Sequence, residues 1–465
     1  MRAIIPVFQR DSNESLYIQL YKYIKEEILH GYAVPGEKLP SLRNLSSSLG
    51  ISLTTTEQAY NQLLVEGYIS SRPHSGFYVN DLGPSAEEQR KLLQSEKTTP
   101  SGITRSPSND SLSTFLYDIS SFDFVKWKKC MNQIINNSPE RLLSEGSPAG
   151  EEDLRKEIAQ YVFQSRGVSC DSGQIVTAAG TQQVISLLSN VLKAINISTV
   201  ACEDPGYLPV RTVFQNKGVT VIPIPVGSQG IEIDKLPTNI GCAAYISPSN
   251  QFPTGAVIPV GRRYQLLEWA EENDSYIIED DYDSELRYFG RPIPALQSLD
   301  HNHRVIYLGS FSSTVFAAIR ISYVILPPSL SKVFEEINGN YSQTCSKMEQ
   351  LTLALFIKEG HYQRGIRKMR RLYTRKLQQT IDSFRNCSFV NVGKAASGLN
   401  VLLHVSSKKS SNALCKEAAT LGLRIQPTTM YSHIAGTHPL IFYYNQVPLK
   451  DLPRKIAQLL EAWES

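Results

Sequence analysis

The chain has 465 residues, of which 41% are hydrophobic and 20% charged, so it is long enough for two or three globular domains and is not a low-complexity or fibrous sequence. Its net charge of +3 is too small to imply a nucleic-acid partner by itself, which leaves that question to the local arrangement of charges. Its seven cysteines (Cys130, Cys170, Cys202, Cys242, Cys345, Cys387 and Cys415) are scattered and lack Cys-x-x-Cys spacing, which argues against a disulfide framework or a zinc site and for a reducing compartment.

At the N-terminus, Met1–Pro6 meets the charged pair Arg10–Asp11 without the long apolar core of a signal peptide. Nowhere does an uninterrupted apolar run reach about 18 residues, the length of a membrane span. The expectation is a cytoplasmic protein with no membrane segment and no metal.

Residues 16–29 carry Tyr17, Leu20, Tyr21, Ile24 and Ile28 at three- and four-residue spacing, one apolar face of a helix. Gly31 and Pro35-Gly36 end it. Leu39-Pro40-Ser41 opens a second short helix with Leu42, Leu45 and Leu49 inward, closed by Gly50. Ser52 can cap a third, whose inward face carries Ala59, Leu63 and Leu64. Two short helices joined by a tight turn have helix-turn-helix form. Residues 68–72 and 77–79 then read as two strands around Pro73-His74-Ser75-Gly76, a wing hairpin.

The ordered run Gly36-x-Lys38-Leu39-Pro40-Ser41-x-Arg43, Leu49-Gly50-Ile51-Ser52, Ala59-Tyr60-x-x-Leu63-x-x-Glu66-Gly67-Tyr68 and Ser75-Gly76 resembles the winged helix-turn-helix domain of GntR-type regulators. The resemblance places this domain at residues 10–80 and implies a double-stranded DNA operator as partner. It implies that Arg43 and the start of the third helix face DNA, with Ser52, Thr54, Thr55, Thr56 and Gln58 at or in the major groove. Threonine hydroxyls suit phosphates or base edges, and Gln58 suits an adenine edge. Arg72 and the backbone at Gly76 would lie near the minor groove or phosphates. Where the family usually has Arg after Ser52, this chain has Leu53, so weaker binding or a different operator is expected.

From 81 to 114 apolar residues thin out among Pro, Gly, Ser, Thr, Glu and Lys, which reads as a flexible linker with one loose helical turn or two at Glu87–Leu93.

From 115 to 465 the pattern alternates. Helical spacing at 154–163 precedes a strand at 174–179. A helix at 181–192 follows, then buried-strand candidates at 199–202, 219–224, 243–246, 276–278 and 305–308. Strands alternating with helices predict a mainly parallel α/β sheet. Such sheets bind ligands at the carboxyl ends of their strands. The turns there are Ala179-Gly180-Thr181-Gln182, Glu203-Asp204-Pro205-Gly206-Tyr207, Ser247–Gly255 and Glu279-Asp280-Asp281-Tyr282-Asp283. The next is Ser310-Phe311-Ser312-Ser313-Thr314 with Arg320-Ile321-Ser322.

These turns, in this order, resemble a pyridoxal-phosphate-dependent aminotransferase of fold type I. Together with the N-terminal domain they resemble the MocR/GabR subfamily of GntR regulators. The resemblance implies a dimerising, ligand-sensing domain at 115–465 and a head-to-tail homodimer. By position, Gly180, Thr181, Ser310 and Arg320 would hold the cofactor phosphate and Tyr207 would stack on the ring. Asp280 would pair with the ring nitrogen, Tyr282 would bond the ring hydroxyl, and Asn250 and Gln251 would line the same pocket.

Two departures bear on catalysis. Ser313 stands where the family has the Schiff-base Lys, and a hydroxyl cannot condense with an aldehyde. The run Leu440–Gln446 resembles the strand that carries the substrate-carboxylate Arg, with Gln446 at about that position. The expectation is a DNA-binding transcriptional regulator without catalytic residues, holding pyridoxal phosphate noncovalently if at all and answering to a small-molecule effector. The alternative is a pyridoxal-phosphate-dependent aminotransferase with an attached DNA-binding domain. A third reading is a regulator whose large domain binds no small molecule.

Overall fold

The computed structural model describes residues 6, 8, 14–72, 75–80, 122–288, 294–393, 397–431 and 439–464. The expected linker, with its helical turns at 87–93, lies outside them. The chain divides into two compact units, Met1–Leu112 and Ser113–Ser465.

In the first unit, α1 (Leu16–Leu29) places Leu20, Ile24 and Ile28 on one stripe against Leu39, Leu45, Ala59, Tyr60, Leu63, Ile69 and Val79. Helix α2 (Leu42–Leu49) starts where Ser41 Oγ accepts the Asn44 amide at 3.3 Å and stops at Gly50, whose φ of 64° suits a residue without Cβ. Helix α3 (Leu53–Val65) starts where Ser52 Oγ accepts the Thr55 amide at 3.0 Å. Strands β1 (Ile69–Arg72) and β2 (Gly76–Val79) pair antiparallel, from Ile69 opposite Val79 to Arg72 opposite Gly76. The expected three helices and hairpin are all present, with Tyr17 and Leu64 only half-buried.

The second unit is built on an eight-stranded sheet. Its strands are β3 (Ile175–Ala178), β4 (Thr199–Asp204), β5 (Thr220–Gly227), β6 (Gly230–Ile231), β7 (Ala243–Ile246), β8 (Tyr276–Asp280), β9 (Val305–Ser310) and β10 (Ser322–Ile325), in the order β3-β10-β9-β8-β7-β4-β5-β6. Strands β10 and β6 run against the others, so the sheet is mixed. Apart from β5, where Thr220 and Pro223 are exposed, its long strands are buried on both faces, and their two-residue period divides the core. Ile306 and Leu308 pack with α6 (Thr181–Ala194), α7 (Leu208–Asn216) and α9 (Pro328–Asn338), while Tyr307 between them packs with α4 (Phe124–Asn137), α5 (Glu152–Arg166) and α10 (Lys347–Lys358). Helix α8 (Val260–Glu272) covers the rest of that second face.

The long α11 (His361–Phe384) leads to a four-stranded antiparallel sheet of β11 (Val390–Val392), β12 (Val401–Val405), β14 (Leu440–Phe442) and β13 (Ile425–Pro427), in that order. With α12 (Ser411–Thr420) and α13 (Leu452–Glu464) it encloses Tyr373, Leu377, Leu403, Leu414, Phe442, Ile456 and Trp463. Gly398 anchors the turn between β11 and β12 within this lobe. Its carbonyl accepts from Tyr288 OH at 2.7 Å and Tyr444 OH at 2.6 Å, and its amide donates to Leu286 O at 3.1 Å. Among the described residues, no helix is long and apolar enough to cross a membrane.

Candidate functional site

Helix α6 begins at Gly180, directly after β3. Gly180 has a φ of 84°, a backbone that favours glycine, and a Cβ there would lie 2.1 Å from Arg320 Nη2, so the guanidinium sits against the start of this helix where a side chain would push it away. Arg320 itself has a φ of 47°. Its Nη1 donates to Ser312 Oγ at 3.5 Å. Ser322 Oγ donates to Ser310 Oγ at 2.9 Å and lies 3.4 Å from Thr181 Oγ1. Hydroxyls from three segments, one guanidinium and the positive end of a 14-residue helix thus gather at one place, the donor set of a phosphate cradle. Gly180, Thr181, Ser310 and Arg320 come together here as the sequence suggests. Ser312 and Ser322 belong with them. Ser322 escapes sequence reasoning because it opens β10, a four-residue strand hidden in the stretch after Arg320.

Asp280 ends β8, and the Tyr245 hydroxyl donates to its Oδ2. Burial pushes this carboxyl up to about 7, against the opposing hydrogen bond. Burial also raises the Tyr207 phenol, with the charge of Asp280 adding and that of Arg320 opposing, so Tyr207 lies within the field of both. Tyr282 is raised well above the ordinary phenol by burial and then by Asp283, Asp280 and Glu203. Glu203, at the end of β4, is pushed up to about 8 by burial. Tyr245 is invisible to sequence reasoning as a site residue, since it sits inside a fully buried apolar strand.

The acidic run 279–283 serves four different tasks. Glu279 accepts the amides of Leu296 at 2.7 Å and Gln297 at 2.9 Å. Asp281 grips Arg166 through two bonds of 2.7 and 2.8 Å and accepts from Tyr307 OH at 2.5 Å. Both are structural. Asp280 faces the site, and Asp283 takes a hydrogen bond from Ser313, the residue at the expected Lys position.

One further expectation changes. Gln446 lies beyond β14, which ends at Phe442, in a 3-10 turn over Tyr444–Gln446. Ile441 and Tyr443 instead share an apolar cluster with Leu402, Tyr431, Leu208 and Phe252. Phe252 meets Tyr431, Tyr207 and Tyr282 edge-on, with centroids 5.0, 6.3 and 6.5 Å apart. Gln251 braces its own turn, donating to Pro205 O at 2.8 Å and accepting from Thr254 Oγ1 at 2.6 Å. Asn250 accepts from Ser397 Oγ at 3.0 Å, beside the cleft lined by Tyr282, Gly398 and Asn400.

On the first unit, Arg43, Leu53, Thr54, Gln58 and Arg72 are exposed. Ser52 and Thr55 are joined by a 2.7 Å hydroxyl contact at the helix start. Thr56 is a correction. It is fully buried, with Oγ1 turned to Ser52 O at 3.4 Å, because the helical period carries it to the same side as Ala59, Tyr60 and Leu63. It does not face a partner. At the wing the Arg72 guanidinium lies 4.3 Å from the Tyr78 ring centre, and Gly76, with a φ of 113°, leaves room for Lys38.

No metal is expected from the sequence. Among the described residues, Cys130, Glu359 and His361 bring potential ligand atoms within 4.8 Å of one another, with His361 Nε2 and Glu359 Oε2 already paired at 2.9 Å.

A phosphate cradle, a buried carboxylate and an aromatic wall at the carboxyl ends of a mixed α/β sheet define the class of protein: fold type I of the pyridoxal-phosphate-dependent aminotransferases, carrying an N-terminal winged helix. Comparisons with known proteins agree. A family model for aminotransferase class I and II matches residues 113–433, and one for bacterial regulatory proteins of the gntR family matches residues 16–79. The HTH-type transcriptional regulator YdeL of Bacillus subtilis is 39% identical over 467 residues, 99% of each chain. The probable rhizopine catabolism regulatory protein MocR of Rhizobium meliloti is 29% identical over 479 residues, 98% of this chain and 95% of that one. The kynurenine aminotransferase of Pyrococcus horikoshii superposes with a TM-score of 0.67 at 22% identity, over 82% of this chain and 95% of that one. The chain belongs to the MocR/GabR subfamily of GntR transcriptional regulators.

Proposed function

We propose that this regulator binds pyridoxal phosphate without a covalent bond and uses its aminotransferase-like unit to sense rather than to catalyse. The observation that carries the reading is the Gly180–Arg320 approach, a guanidinium laid against a helix start whose φ of 84° favours glycine. Arg320, Ser310, Ser312, Thr181 and Ser322 would bind the phosphate, Tyr207 would stack on the ring, and Asp280 would hold a proton shared with the ring nitrogen. Tyr282 would donate to the ring hydroxyl. The bound group supplies an electron sink in enzymes of this fold. Ser313 offers no amine to exploit it, and the neutral Gln446 stands at about the position expected for a substrate-carboxylate Arg, while the Arg424 guanidinium lies 4.5 Å from the Tyr443 ring centre. The fully buried Lys376 donates instead to Asn445 O at 2.9 Å. An active aminotransferase is therefore not favoured.

The proposed organisation is a DNA-binding domain at 10–80, a linker at 81–114 and a dimerising domain at 115–465, assembled head to tail as a homodimer on an operator. Arg43, Thr54, Gln58 and Arg72 would contact DNA. Ser52 and Thr55 would order the helix start, and Gly76 would shape the wing. An effector changes DNA affinity only if it binds one dimer arrangement better than another. Equilibrium dialysis of the whole chain with pyridoxal phosphate, read by absorbance, tests the pocket. Saturable uptake without a covalent absorbance band is expected, and DNA affinity should then differ with and without the ligand. No uptake would overturn the reading.

A further inference from the structure

Three carboxyls are buried around the ring end of the site: Glu203, Asp280 and Asp283, exposed by 3, 6 and 7%. Two of them have evident tasks. Glu203 accepts the Ser247 amide at 3.2 Å and Gln251 Nε2 at 3.3 Å, bracing the loop between strands, and Asp280 accepts from the Tyr245 hydroxyl and, on the reading above, would meet the ring nitrogen. Asp283 has neither task. Its backbone is held at a φ of 54° at the start of a 3-10 turn, and its side chain meets the Ser313 hydroxyl. Among the described residues it forms no ion pair. A carboxylate this deep is costly unless a cation meets it.

Position 313 is also where the side chain is shortest relative to the family pattern. A serine ends at its hydroxyl after one methylene, whereas a lysine carries three methylenes more and ends in an ammonium. Shortening the side chain leaves space toward the ring and removes one positive charge, while Asp283 remains beside it. Arg320, the cation that acts on Tyr207, is engaged at the anion end against Gly180 and Ser312. The missing positive charge has to arrive with the ligand.

We propose that the site selects the amine form of the cofactor, pyridoxamine 5′-phosphate, with Asp283 and Ser313 receiving the ammonium on its C4′ carbon. The inference rests on the cofactor pocket argued above. The ammonium donates to the Asp283 carboxylate and to the Ser313 oxygen, and it occupies the space a lysine would fill. A charge-assisted bond in a water-poor site separates an ammonium from a hydroxyl of the same size. The effector is then a cationic vitamer, and the aldehyde, which has no charge to offer Asp283, binds more weakly.

The test uses two probes that differ only at this point: pyridoxamine 5′-phosphate and pyridoxine 5′-phosphate, which carries a hydroxyl in place of the ammonium. Titration calorimetry on the full chain should give about ten-fold tighter binding of the amine. Asp283→Asn keeps the shape and removes the charge, so the preference should shrink to about two-fold or less while pyridoxine 5′-phosphate binding is retained. Ser313→Lys provides an internal ammonium and should weaken the amine by about ten-fold or more, which reads the same interaction in a second variant if Asp283→Asn fails to fold. Equal affinity for the two probes in the native chain, or an amine preference that survives both substitutions, would overturn the inference and leave the cofactor pocket standing. If neither phosphate binds, the pocket reading fails and the inference with it.

Discussion

A serine at position 313 lacks the reactive amine of a lysine but leaves the proposed phosphate cradle in place, since Gly180 and Arg320 lie on separate segments. Ser313→Lys should therefore give a visible absorbance band with pyridoxal phosphate that borohydride fixes to the chain, while the native chain gives none. The buried carboxyls make a second prediction. Glu203 and Asp280 titrate at about 8 and about 7 in the folded protein, against about 4.3 and 3.9 when unfolded. Between those limits the folded chain keeps protons that the unfolded chain has lost, so stability falls as pH rises, by about 1.4 kcal/mol per unit for each group within its window. It is fully present below pH 4 and lost by about pH 8. Glu203→Gln should flatten this slope, with little change in melting temperature at pH 5 and a gain over the native chain at pH 8.5. The grouping of Gly180, Thr181, Ser310 and Arg320 was legible in the sequence because small hydroxyls, a glycine and an arginine occur at fixed offsets. Tyr245 and Ser322 were not, since their roles depend on which strands become neighbours. Thr56 was misjudged because a helix start exposes only some of its threonines, and the register that buries this one is set by Ala59 and Leu63.

The recognition helix α3 is defined by its first turn. Ser52 accepts the Thr55 amide there, and Ser52→Ala should lower the stability of the N-terminal unit by about 1 kcal/mol, read as an earlier first transition in a thermal melt. Leu53, 45% exposed at the first helical position, is where a cation would reach DNA. Leu53→Arg should tighten duplex binding and steepen its salt dependence by about one ion, measured by anisotropy over a salt series. A positive charge at a helix start opposes the helix dipole, so a small loss of unit stability, about 0.3–1 kcal/mol, should accompany the gain. Helices and long buried strands were readable from spacing and apolar runs. The four-stranded sheet of the second lobe was not. Its strands β11, β13 and β14 have only three residues each, too few for a period to emerge, and the sheet is held together by partners far apart in sequence.

At the scale of the whole chain, the two units have separate hydrophobic cores. A ligand of the large unit should therefore raise one thermal transition and not the other. At a hundred times its dissociation constant the expected gain is about 2.7 kcal/mol, visible by calorimetry as a shift of the larger transition alone. A shift of both would mean that the units unfold together.

The two tyrosine hydroxyls that converge on the Gly398 carbonyl pin the turn between β11 and β12 against the core of the second lobe. Both lone pairs of one oxygen are taken, by Tyr288 and by Tyr444. Pulling that turn away would strand two buried phenols at about 1–3 kcal/mol each. The same turn carries Ser397, whose hydroxyl reaches Asn250 beside the cleft, so the rim of the cleft inherits the rigidity of the lobe behind it.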